Sequence, residues 1–180
     1  RGLYIHGGVG RGKTMLMDMF HDALVTTTPQ APPFRLHFHD FMVLAQDAIH
    51  VAREAGETDP IGAAADSLAS RGRVMCFDEM EVRDIADAMI LSRLFTAMFE
   101  RGVTVVATSN RHADELYKNG LHRDRFLPFI ALLKARCDVM EIAAGADWRA
   151  SMLATLPAWY TPDDAAAVAA LDAAFISIAG

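Results

Sequence analysis

The chain has 180 residues, a formal net charge of −6 and 52% hydrophobic side chains. That length holds one α/β core with a small appendage rather than two full domains, and no apolar run approaches the ~18–20 residues of a membrane span. The acidic balance argues against a broad nucleic-acid surface, which needs Lys and Arg to neutralise phosphates.

The two cysteines, Cys76 and Cys137, sit inside apolar runs and read as reduced core residues of an intracellular protein. The first residue is Arg1 and a strand follows almost at once, so an excised core with upstream residues missing is expected.

Leu3-Tyr4-Ile5-His6 predicts a first strand, and Gly7-Gly8-Val9-Gly10-Arg11-Gly12-Lys13-Thr14 follows it directly. The run satisfies G-x-x-x-x-G-K-[ST], in which every fixed letter has mechanical work. The glycines let successive N–H groups turn inward around phosphate oxygens. Lys13 brings a cation on a flexible stem toward the β- and γ-phosphates, and Thr14 offers a hydroxyl to Mg²⁺. A helix from Lys13 to about Val25 then points its positive end at the anion. The expected nucleotide-contacting set is Gly7, Gly8, Val9, Gly10, Arg11, Gly12, Lys13, Thr14 and Met15.

Thr26 to Pro29 ends that helix, and Phe34-Arg35-Leu36-His37-Phe38-His39 alternates like a half-buried strand. Asp40 is expected to cap a helix from Phe41 to Glu54, with Phe41, Leu44, Ala45 and Ala48 as its buried stripe. His37 and His39 would share one strand face, where they read as structural or surface residues. A metal site needs three or four converging groups. A short alanine-rich helix is expected over Ile61 to Ser70.

Arg73-Val74-Met75-Cys76-Phe77 predicts a buried strand ending in Asp78-Glu79. An acidic residue at the carboxyl end of a strand in the same sheet suits the Mg²⁺ that Thr14 also contacts, so Asp78 and Thr14 are the expected metal ligands. Glu79 is placed to orient or deprotonate the attacking water. A helix over Asp84 to Glu100 and a strand Val103 to Ala107 lead to Asn110, whose amide can reach the γ-phosphate or the water. Further on come a helical turn at Asp114 to Tyr117, a helix over Phe126 to Ala135 and a fifth strand over Asp138 to Ile142. A tail changes character at Gly145 and carries a loop through Pro162 and a helix from Asp163 to about Ile176.

Strands alternating with helices predict an α/β three-layer sandwich with a five-stranded parallel sheet, because right-handed crossovers put helices on both faces. Residues 1–145 would be the nucleotide-binding core and 146–180 the start of a helical C-terminal extension. The unit between the loop strand and the Asp78 strand suggests that another strand separates them in the sheet.

Together these residues resemble the AAA+ ATPases and, more narrowly, the family of the bacterial cell-division ATPase ZapE and its mitochondrial lactation-elevated relatives. The match runs through Gly2 to Thr14, His37-Phe38-His39-Asp40-Phe41-Met42, Cys76-Phe77-Asp78-Glu79, Asp84 to Met89, Ala107 to Arg111, and Tyr117-Lys118-Asn119-Gly120-Leu121 through Phe126-Leu127-Pro128-Phe129-Ile130. Met80 and Arg83 depart from the family pattern at positions that are not ligands. The resemblance implies a chain longer at both ends and Mg²⁺-dependent ATP hydrolysis in a ring-like oligomer. It also implies an arginine reaching a neighbour's γ-phosphate, with Arg125 the best positional match and Arg123 second.

The implied client is a protein, FtsZ for the bacterial branch, in the cytoplasm. Mitochondrial quality control is implied for the eukaryotic branch. The rival readings are a slow nucleotide switch or scaffold, which has no need of Glu79 as a base, and a helicase-loader-like ATPase. Against the latter stand the acidic balance and the lack of an aromatic-plus-basic stripe.

Overall fold

Tyr4 and Ile5 are enclosed, as a central strand requires, with the Tyr4 hydroxyl donating to the Arg111 carbonyl at 2.8 Å, and they lie in β1 (Gly2–His6). The computed structural model describes residues 1–143 and 164–179. Its first compact unit, Arg1–Ala143, holds β1, α1 (Lys13–Thr27), β2 (Phe34–His37), α2 (Phe38–Glu54), α3 (Pro60–Ala69), β3 (Val74–Asp78), α4 (Ile85–Glu100), β4 (Thr104–Ser109), α5 (Leu127–Arg136) and β5 (Cys137–Glu141). Short 3₁₀ turns lie at Ala113–Glu115 and Arg123–Arg125. The strands pair in parallel in the order β2-β3-β4-β1-β5. The predicted α/β layers and five-stranded parallel sheet are therefore present, with β4 between the loop strand β1 and the Asp78 strand β3.

The main core lies on the side of the sheet covered by α2, α3, α4 and α5. Aromatic rings fill its centre: Phe77 of β3 lies 4.5 Å from Phe41 and 5.9 Å from both Phe38 and Phe95, centroid to centroid. Rings at these distances add edge and offset contacts to the roughly 1.5–3 kcal/mol that burying each side chain contributes.

That cluster explains the main departure from the expected elements. The alternation through His39 is cut at His37, and Phe38 opens α2 instead of closing a strand. Phe38, Phe41 and Met42 stand at i, i+3 and i+4, so a helix places all three in the core, whereas a strand would alternate them between faces. His37 and His39 therefore share no strand face, and Asp40 lies inside the first turn rather than at the cap. Leu44 and Ala48 of the expected stripe are half-buried, while Ile49 and Ala52 are buried.

Other boundaries shift by a residue or two. Asp84 caps α4, its carboxylate accepting from the Ala86 N–H at 2.6 Å. α4 ends beside Gly102, whose φ of 77° is the left-handed conformation that terminates helices.

The second unit, Ala144–Gly180, holds α6 (Ala165–Ala179), opened by Asp164, which accepts from the Ala166 and Ala167 N–H groups at 3.0 and 2.9 Å. The expected loop around Trp148 and through Pro162 lies outside the described residues.

Candidate functional site

The loop after β1 closes on itself through named backbone contacts. The Gly7 N–H donates to the Ser109 carbonyl at 3.2 Å, tying the loop entrance to β4. A Cβ at Gly7 would stand 2.8 Å from the Ile142 carbonyl oxygen, so only glycine passes this point without moving β5's exit. Gly12 turns the chain into α1 at φ 76°, a left-handed conformation costly for L side chains. At the start of α1 the Leu16 N–H donates to the Gly12 carbonyl at 2.9 Å. The N–H groups before it lack helical partners and carry the positive end of the helix dipole, an arrangement suited to an anion.

Lys13 is only 9% exposed. Its Nζ donates to the Gly7 and Gly8 carbonyls, both at 2.7 Å. An ammonium has three protons, so one remains for a phosphate oxygen. Burial, then the neighbouring Arg11, holds its pKa below the usual lysine value, and the Glu79 carboxylate works in the opposite direction. Arg11 itself lies across Gly8 and donates from Nη1 to the Ile142 carbonyl at 3.0 Å, fastening the loop to the end of β5. Val9, Thr14 and Met15 are exposed around this cradle.

Asp78 ends β3 with 5% exposure. Its Oδ2 accepts from Arg35 Nε at 2.7 Å, while Oδ1 is buried with no partner among the described residues. A buried carboxylate oxygen without a donor carries a desolvation cost that a hard cation with oxygen preference removes. Asp78 and the Thr14 hydroxyl thus fit Mg²⁺ chemically, because both supply hard oxygens.

Glu79 adopts φ 55°, uncommon for a side chain of its size. The end of β4 clamps that turn. Glu79 N–H donates to Thr108 Oγ1 at 3.2 Å, Met80 N–H to the Thr108 carbonyl at 2.7 Å, and Ser109 Oγ to the Met80 carbonyl at 2.8 Å. Asn110 follows Ser109, and Glu79 and Asn110 line one cleft of about 240 Å³ with Glu81, Arg83 and Arg111. The predicted base and the predicted amide are therefore brought together.

The two arginines of the 3₁₀ turn Arg123–Arg125 differ. Arg123 Nη2 donates to the Asp114 carbonyl at 2.5 Å, and its Nε is enclosed without a partner among the described residues. Arg125 is exposed and makes no ion pair or side-chain hydrogen bond among the described residues. Three non-glycine residues on the way to this turn, Tyr117, Asn119 and His122, have positive φ.

Sequence reading did not single out Arg35, Thr108 or Ser109 as site residues. Thr108 and Ser109 carried a weak signal, two hydroxyls closing an apolar strand. Arg35 carried none, because an arginine in an alternating strand reads as a solvent-facing residue.

A parallel α/β sheet of this order, with a phosphate loop after β1 and Asp-Glu after β3, is the AAA+ type of P-loop fold. Solved structures agree at the level of fold. Domain III of DnaA from Thermotoga maritima superposes with a TM-score of 0.58 at 16% identity, over 79% of this chain and 55% of that one. DnaI superposes with a TM-score of 0.57 at 17% identity, over 82% and 72%.

Residues 1–180 match the AFG1-like ATPase family, and the chain belongs to that family. It is 46% identical to the cell division protein ZapE of Escherichia coli K12 over 180 residues, all of this chain and 46% of that one. It is 44% identical to lactation elevated protein 1 homolog B of Danio rerio over 158 residues, 83% of this chain and 31% of that one. The chain thus spans less than half the length of these relatives.

Proposed function

We propose that this chain is the Mg²⁺-dependent ATP-hydrolysing core of a remodelling ATPase that works as a ring-like oligomer on a protein client. The observation that carries the reading is the buried Asp78 carboxylate, with one oxygen unpartnered, on the same sheet end as the Lys13 cradle. Residues 1–145 bind the nucleotide and 146–180 begin a helical extension.

In this reading the loop amides from Gly7 to Met15 and the remaining Lys13 proton hold the phosphates, while Thr14 and Asp78 hold the metal. Bound Mg²⁺ supplies charge neutralisation at the transferring phosphoryl group. Glu79 orients and deprotonates the water, with Asn110 beside it in the same cleft. Arg125, exposed and uncommitted among the described residues, stabilises transition-state charge in a neighbouring subunit, whereas Arg123 is engaged within its own chain.

A cytoplasmic bacterial ATPase acting on FtsZ polymers is the client and location that the ZapE likeness favours. Among the described residues, no helix is long and apolar enough to cross a membrane. The test is ATP hydrolysis by the full-length protein against protein concentration with Mg²⁺ and with EDTA. Specific activity should climb steeply with concentration and vanish in EDTA. A flat specific activity would remove the ring requirement.

A further inference from the structure

Arg35 belongs to none of the motifs, yet it joins the two halves of the candidate metal site. It sits on β2 opposite Cys76 of β3, two residues short of the His37–Asp78 pair. That register puts Arg35 and Asp78 on one face as diagonal neighbours. The guanidinium then forks: Nε donates to Asp78 Oδ2 at 2.7 Å, and Nη1 pairs with Asp18 Oδ1 at 2.5 Å. Asp18 lies on α1 four residues after Thr14, and residues at that spacing are neighbours on one helix face.

The helix so gripped is otherwise lightly held. Lys13 and Met17 are its buried residues, and Met17 packs in a small cluster with Cys76 and Val106, away from the main core. Met15 and Met19 point to solvent. A strut from β2 to α1 therefore supplies constraint that hydrophobic packing leaves out.

We propose that Arg35 is a positioning residue for the divalent cation. It occupies Asp78 Oδ2 so that Oδ1 is the oxygen presented, and it fixes the turn bearing Thr14 relative to Asp78. The proposal rests on the reading of Thr14 and Asp78 as metal ligands.

A competing role makes the opposite prediction. A guanidinium beside Asp78 also repels a cation, so if charge alone mattered, removing it would tighten Mg²⁺ binding. Lysine separates the two cases, because it keeps the charge but its single ammonium cannot span both carboxylates as the planar fork does.

The experiment measures affinity of the full-length protein for a non-hydrolysable fluorescent ATP analogue across a Mg²⁺ titration and in EDTA. Thermal melting of each variant without ligand checks folding. Arg35→Gln and Arg35→Lys should each raise the Mg²⁺ concentration for half-maximal effect by about tenfold, the scale on which groups behind metal ligands act. Affinity in EDTA should not change. Asp18→Asn, which cuts one arm, should fall between these variants and the unmodified protein.

Tighter Mg²⁺ response in Arg35→Gln, a normal response in Arg35→Lys, or equal losses with and without Mg²⁺ would each overturn the positioning role. If Mg²⁺ leaves nucleotide affinity of the unmodified protein unchanged, the metal-ligand reading itself fails, and the Arg35 proposal with it.

Discussion

Glu79 sits in a left-handed conformation that costs of order 1–3 kcal/mol for a non-glycine residue. The Thr108 and Ser109 bonds hold it there, at the cleft it lines together with Asn110. If Glu79 is the base, Glu79→Gln removes proton transfer and leaves binding alone. Its turnover should fall by about 10²–10³, within the range typical of a lost general base, with ATP affinity unchanged. Equal single-turnover rates for both forms would instead favour the slow-switch reading.

A second prediction at this scale concerns pH. His6, at the end of β1, is 8% exposed and its ring meets His112 edge-on at 4.8 Å. Burial, then the charge of His112, holds its pKa below the ordinary 6.5. The unfolded chain then binds the proton more readily than the folded one. His6 therefore contributes stability that is complete above the ordinary value and is lost as pH falls through the lower folded one. Thermal midpoints should drop as pH goes from about 7 to about 5.5, and His6→Asn should flatten that drop. An identical slope in the variant would place the effect elsewhere.

Among the elements, α2 shows how packing overrides a local pattern. Residues Phe34 to His39 alternate like a strand, and the first half does pair with β3. The second half becomes helix because Phe38, Phe41 and Met42 all reach the aromatic core only at helical spacing. Phe41, with no exposure and rings of Phe38, Phe77 and Phe95 around it, is the keystone of that contact. Phe41→Ala should cost about 3–5 kcal/mol in denaturant unfolding. A loss below about 1 kcal/mol would mean that the site collapses around the gap, in line with the dependence of such costs on relaxation.

For the whole molecule, the strand order places the phosphate loop, the Asp78-Glu79 turn and Asn110 at one sheet end. Arg125 lies on a separate 3₁₀ turn, exposed. The proposed role of Arg125 in a neighbouring subunit makes a specific prediction for mixtures. Glu79→Gln subunits lack the base but keep the arginine, and Arg125→Ala subunits the reverse. Each variant alone should be nearly inactive, and mixing them should restore a measurable fraction of hydrolysis, because an Arg125→Ala site can receive the arginine of a Glu79→Gln neighbour. A mixture no more active than its components would locate the arginine's effect within one chain.

Residue order by itself determined the phosphate loop, the acidic strand end and the layer architecture. Each of these is a local matter: glycines and Lys13 at fixed spacing, an apolar run closed by Asp78, and strands alternating with helices. The ranking of Arg125 ahead of Arg123 comes from the family resemblance and stays a proposal; in the fold Arg123 donates to the Asp114 carbonyl and Arg125 is exposed.

Tertiary structure alone decided where the Phe34–His39 strand stops, which residues clamp Glu79, and that Arg35 bridges Asp18 and Asp78. The Glu79 clamp and the Arg35–Asp78 bond join groups 29 to 43 residues apart across neighbouring strands, and the Asp18 arm and the Phe38 contacts join strand to helix. Periodicity along the chain carries no record of which strand lies beside which, so contacts set by sheet register emerge only when the sheet closes.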